Sequence, residues 1–114
     1  MSDQGKMHRA AEALIAACNA FDVDAAVALF RPEAVIDDPS TGQRFDGHPG
    51  IRDYVTQFFV GYHSVTRLLS IEAVATDRTR VRADFTGDFG HEVGLLDVSV
   101  DQDGFIVRID ADLE

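Results

Sequence analysis

The sequence predicts an α+β fold, with three N-terminal helices packed on the concave face of a cone-shaped, curved antiparallel sheet. Three observations lead there. Apolar residues recur at helical spacing through the first half of the chain. After Gly61 the period changes to long runs with β-branched residues, divided by turn clusters. Helices followed by strands is the order of a domain whose sheet is covered on one face.

Each element has its own signal. Residues 1–6 (MSDQGK) read as a frayed tail ahead of a single domain spanning 1–114. Met7, Ala10, Ala11, Leu14, Ile15, Cys18 and Phe21 give an amphipathic helix over 7–20. Asp22 caps a second helix that buries Val23, Ala26, Val27 and Phe30, and Pro32 stops it. Ala34–Asp38 is a short strand, Pro39 to Gly42 a turn, and Arg44-Phe45 a short return. Asp46 or His48 caps a third helix with Pro49 in its first turn. Ile51, Tyr54, Val55 and Phe58 form its buried face, and Gly61 ends it. Strands follow at roughly 63–76, 79–88, 92–101 and 105–112, with an Asp-Gly hairpin signal at Asp103-Gly104.

Composition narrows the partners. Twenty Asp and Glu against ten Lys and Arg leave a net charge of −10, which repels nucleic acid and anionic membrane surfaces. The same excess serves solubility. No apolar run approaches the roughly 18 residues of a membrane span, and no secretory signal is visible. One cysteine, Cys18, suits a reducing cytoplasm. His8, His48, His63 and His91 show no metal-ligand spacing, so no metal or other cofactor is expected. The acidic balance favours a small neutral or apolar ligand, or no ligand.

Three segments resemble the nuclear transport factor 2-like superfamily, in its ketosteroid isomerase and SnoaL-like branch. They are FDVDAAVALFRPEAVIDDP (Phe21 to Pro39), FDGHPGIRDYV (Phe45 to Val55) and LLDVSVDQDGFIVRI (Leu95 to Ile109). The resemblance implies that Asp38, the acid before the proline, is a general base moving a proton between carbons beside a carbonyl. It implies that Asp97 is a neutral acid donating to the oxyanion. The family's oxyanion tyrosine falls on Leu14, and two supporting tyrosine positions fall on Phe30 and Val55. Tyr54 is the nearest phenol, one residue from the last and about 100° round the helix. Leu14, Phe30, Tyr54, Phe58 and His63 are the expected pocket residues. This fold hosts several activities. The expectation is therefore a proton-transfer isomerase or cyclase, or else a non-catalytic cone that binds an apolar ligand or forms a dimer.

The residues alone leave alternatives open. Asp38 is equally an Asp-Pro turn acid. Asp37 should face the other way across the strand. Asp97 either enters the pocket or pairs with an Arg outside, because strand parity does not choose between its two faces. Arg82 and Asp84 imitate part of a limonene epoxide hydrolase-like Arg-Asp site, or form an exposed ion-pair face. His63 starts a strand and either lines the cone or lies at the surface. Leu96, Val98 and Val100 read as an outer sheet face too apolar to stay wet, which predicts a homodimer through that face.

Overall fold

A computed structural model describes residues 3–113. The order is α1 (Asp3–Asn19), α2 (Val23–Val27), β1 (Phe30–Asp38), a 3-10 turn (Pro39–Thr41), β2 (Gln43–Asp46) and α3 (Gly47–Val55). Helix α3 runs on as one π-helical turn (Thr56–Val60). Then come β3 (Val65–Ala73), β4 (Arg78–Gly87), β5 (Gly90–Val100) and β6 (Ile106–Leu113).

One six-stranded sheet has the order β2-β1-β6-β5-β4-β3. All pairs are antiparallel except β1 with β6, which run parallel, so the sheet is mixed and not purely antiparallel. Hairpin signals report only consecutive strands. The β1–β6 pair joins the two halves of the chain, and no local residue announces it. The sheet is curved and unclosed, with the short β2 and the long β3 as its edges.

The local reasons are visible in the residues. Asp22 caps α2 by accepting from the Ala25 N–H at 3.1 Å. Helix α2 ends at Val27, and Phe30 opens β1 instead of closing the helix. Pro32 therefore lies inside β1, where the ladder to β6 is interrupted between Phe30 and Val35 and no backbone donor is demanded of it. Residues 3–6, expected as part of a tail, are helical, while residues 1 and 2 lie outside the described residues. The Asp101 carboxylate takes the N–H groups of Asp103 and Phe105, at 2.9 and 3.1 Å, and closes the β5–β6 turn. Gly104 supplies the positive φ of 88° that this turn needs.

The core lies between the helices and the inner face of the sheet. Met7 of α1, Ile51 and Val55 of α3, Val81 of β4, Val98 of β5 and Ile106 of β6 are almost fully buried there. Each contributes roughly 1.5–3 kcal/mol by leaving water. Leu96, Val98 and Val100 belong to this inner face. The expected outer apolar face, and the case for a dimer built on it, are thereby corrected. The outer face instead carries ion pairs: Arg80 with Asp97, Arg108 with Asp37 and Asp110, and Arg67 with Asp84. A register that buries Val98 must turn Asp97 outward, because side chains alternate along a strand.

Candidate functional site

Strand β1 ends at Asp38, whose burial is set by strand parity. Ala34, Ile36 and Asp38 share the inner face, and Asp38 is only 7% exposed. The following Pro39-Ser40-Thr41 turn is anchored on this acid. Asp38 Oδ1 accepts from the Ser40 N–H at 3.1 Å and from the Ser40 hydroxyl at 2.6 Å. The Thr41 hydroxyl donates to the Asp38 carbonyl at 2.8 Å. Asp38 thus caps the turn and lines a cavity at the same time.

The third donor comes from α3. Tyr54 Oη donates to Asp38 Oδ2 at 2.7 Å. Burial, reinforced by the neighbouring carboxylate, pushes the Tyr54 phenol well above its ordinary ionisation range, so it remains a donor. Asp38 and Tyr54, singled out from different segments of the sequence, are thus brought together.

The cavity has a volume of about 300 Å³. Its wall is aromatic: Tyr54, Phe58, Phe59, Tyr62, Phe85 and Phe89. These rings touch in sequence, with centroids 5.2 Å apart for Tyr54 and Phe58, 6.2 Å for Phe58 and Tyr62, and 6.0 Å for Tyr62 and Phe89. Such pairs contribute roughly 0.5–1.5 kcal/mol each beyond burial. The π-helical turn carries Phe58 and Phe59, and both line the cavity. Wide turns of this kind often mark functional sites. Across the cavity, Gly94 makes room for Phe85: a Cβ there would stand 2.9 Å from its ring.

A smaller recess of about 40 Å³ continues beneath α1. It is lined by Leu14, Cys18 and Phe30, and shares Tyr54, Phe59, Phe85 and Leu96 with the main cavity. Leu14 and Phe30 are therefore pocket residues of an apolar end. Burial pushes the Cys18 thiol up to about 12, so it is an inert core group. Among the described residues, no Lys, Arg or His lines either space, whereas Asp38, Glu92 and Asp112 do line the larger one. Among the described residues, no group of three or more His, Cys, Asp or Glu side chains is placed to hold a metal.

Two expected site residues lie elsewhere. Asp97 points out of the opposite sheet face, where Arg80 holds it with bonds of 2.8 and 3.2 Å. It is no donor in the cavity. His63 is 73% exposed and bonds Asp88 at 2.9 Å. It sits with φ 53° in the turn after the π-helical segment, before β3 begins. Arg82 and Asp84 share the outer face with Asp97, so no hydrolase-like Arg-Asp group enters the cavity. Asp84 lies 2.6 Å from His91 Nε2 there. Asp37 also faces outward, towards Arg108 at 3.2 Å.

Ser40, Thr41, Phe85, Phe89 and Glu92 were not anticipated. Ser and Thr directly after an Asp-Pro carry a turn signal that points to Ser40 and Thr41. Glu92 needed the parity of β5, which the burial of Val98 supplies.

Comparison with known proteins agrees with this architecture. No curated protein matches the chain. A candidate polyketide cyclase from Sinorhizobium meliloti has 24% identity and a TM-score of 0.82, over 91% of this chain and 94% of its own. SalBIII, an epoxide hydrolase/cyclase-like enzyme of pyran ring formation in salinomycin, has 18% identity and a TM-score of 0.87, over 100% and 95%. A Mycobacterium tuberculosis protein in complex with estradiol-17β-hemisuccinate has 14% identity and a TM-score of 0.80, over 93% and 92%. At these identities the likeness is one of fold. The family model of the SnoaL-like domain matches residues 11–109, which takes in Asp38, Tyr54 and the whole aromatic wall, and the chain belongs to that family.

Proposed function

We propose that this protein is a small proton-transfer enzyme, an isomerase or cyclase, acting on a neutral apolar carbonyl compound with Asp38 as general base. One observation carries the reading: a buried carboxylate, oriented by Ser40 and Tyr54, lines an aromatic cavity. A carboxylate accepts about four hydrogen bonds. Among the described residues three are supplied, two on Oδ1 and one on Oδ2. The remaining acceptor direction, on Oδ2, is available to a carbon acid. Positioning of this kind is what general-base catalysis requires.

The wall selects the substrate. Six aromatic rings favour an apolar body, and the absence of cations among the described lining residues disfavours an anionic one. The hydroxyls of Tyr54, Ser40, Thr41 and Ser64 all donate to protein oxygens. A substrate whose enolate is already delocalised, such as a 1,3-dicarbonyl, asks least of an oxyanion donor. The similar folds described as cyclases support this reading. The estradiol derivative bound by one neighbour supports a small-ligand cavity. One buried thiol is in keeping with a cytoplasmic location.

The test is deuterium uptake in heavy water, followed by NMR, at the acidic carbon of 2-tetralone and of a cyclic 1,3-diketone. Wild type should accelerate exchange over buffer, and Asp38→Asn should not. Binding without any acceleration would reject the enzyme and select the second reading, a cone that only holds an apolar ligand. The aromatic wall alone is enough for that reading.

A further inference from the structure

We propose that Thr66 is the polar anchor for the buried end of the ligand, and that it selects compounds carrying a carbonyl or hydroxyl oxygen at the tip of an apolar body. This deepens the proposed function and rests on the same cavity being a ligand site.

Thr66 lies on the inner face of β3 and is 5% exposed. Its hydroxyl oxygen is fully buried and has no hydrogen-bond partner among the described residues. A buried hydroxyl without a partner is disfavoured relative to a methyl group of the same shape, so its presence calls for an explanation. Its surroundings supply one, because Thr66 lines the recess beneath α1, whose other walls include Leu14, Phe30, Ile36 and Phe59.

The residue is held firmly. Asn19, the last residue of α1, accepts from the Thr66 N–H at 2.7 Å and donates to the Thr66 carbonyl at 2.8 Å. This amide covers the free edge of β3 at one residue and fixes the backbone that carries the hydroxyl. The other hydroxyls named above are committed to protein acceptors, so Thr66 is the buried one left to serve a ligand.

The placement also gives the ligand a polarity. Asp38 ends β1 and Thr66 is near the start of β3, four strands away in the sheet order. The main cavity and the recess share Tyr54, Phe59, Phe85 and Leu96, so a single apolar body lies between the two polar groups. The reacting carbon would lie at Asp38, and the oxygen that Thr66 reads would sit at the inner end.

The experiment compares Thr66→Val, Thr66→Ser and Asp38→Asn with wild type, using 2-tetralone and 6-hydroxy-2-tetralone as probes, the added hydroxyl standing at the far end of the ring system from the acidic carbon. Binding is followed by NMR titration. Wild type should prefer 6-hydroxy-2-tetralone by about tenfold, the weight of one neutral hydrogen bond. Thr66→Val should abolish that preference while keeping its affinity for 2-tetralone, and Thr66→Ser should restore it. Thr66→Val should also melt no lower than wild type, since it removes an unpaired hydroxyl. Asp38→Asn should keep the preference even though it loses deuterium exchange, which separates failure of this anchor from failure of the base. Equal affinities in wild type, no binding of either probe, an unchanged preference in Thr66→Val, or a clear loss of its stability would each overturn the proposal.

Discussion

The hydroxyl of Tyr54 donates to Asp38 Oδ2 at 2.7 Å and ties α3 to the end of β1 inside the cavity. This bond arranges both groups: the phenol stays a donor, and the carboxylate is fixed against the aromatic wall.

The first prediction concerns ionisation of Tyr54. Burial, the largest cause, and the adjacent Asp38 raise its folded-state pKa well above 10.0. The unfolded chain therefore ionises first, near the ordinary value. The stabilisation is fully present below about pH 10 and is lost as pH rises through the folded-state pKa. Phenolate absorbance against pH should show one of the two tyrosines titrating late, and Tyr54→Phe should remove that late component. Both tyrosines titrating together in the folded protein would count against the buried bond. In the exchange assay, Tyr54→Phe should lower turnover by about tenfold through loss of one aimed hydrogen bond.

The second concerns Cys18. Its thiol is buried under α1 and pushed up to about 12 by loss of water. An aromatic disulfide reagent at pH 8 should leave the native protein unlabelled and label it fully in concentrated urea. Rapid native labelling would show that the recess opens wide enough to admit the reagent. The thiol should also cost stability at high pH, because the unfolded group ionises near 9.0 and the folded one only near 12.

The third separates Asp97 from the site. Asp97→Asn should leave exchange activity and its pH profile unchanged, since Arg80 holds that acid on the opposite face. A fall of about 100-fold or more, typical of a lost oxyanion donor, would return Asp97 to the cavity.

Much of the fold was legible because its signals are local. The helical spacing of Met7, Ala11, Leu14 and Cys18 requires only neighbours on one helix, and these four are buried as a stripe. The hairpin at Asp103-Gly104 is written in two residues. The length of β1 was less legible. Pro32 reads as a helix stop in any local window, and only the interruption of the β6 ladder shows why a strand tolerates it.

Strand faces were the weak point. On β5, Val93, Leu95 and Asp97 alternate with Leu96, Val98 and Val100, so both faces offer apolar residues. Hydrophobicity alone does not select one. Arg80, facing Asp97 across the β4–β5 ladder, breaks the tie, because a long cation opposite an acid is at home where water reaches it.

The sequence by itself determined the kind of fold, the family, and the acid that ends the first strand, because periodicity, turn chemistry and an Asp-Pro are properties of short segments. The tertiary structure decided which acids face the cavity and which phenol meets Asp38. It alone revealed that the Thr66 hydroxyl stands buried without a hydrogen-bond partner among the described residues. Those facts depend on strand register and on contacts between segments far apart in the chain: sixteen residues separate Tyr54 from Asp38, and forty-seven separate Asn19 from Thr66. No local pattern encodes such distances, and burial is settled only when the layers close on one another.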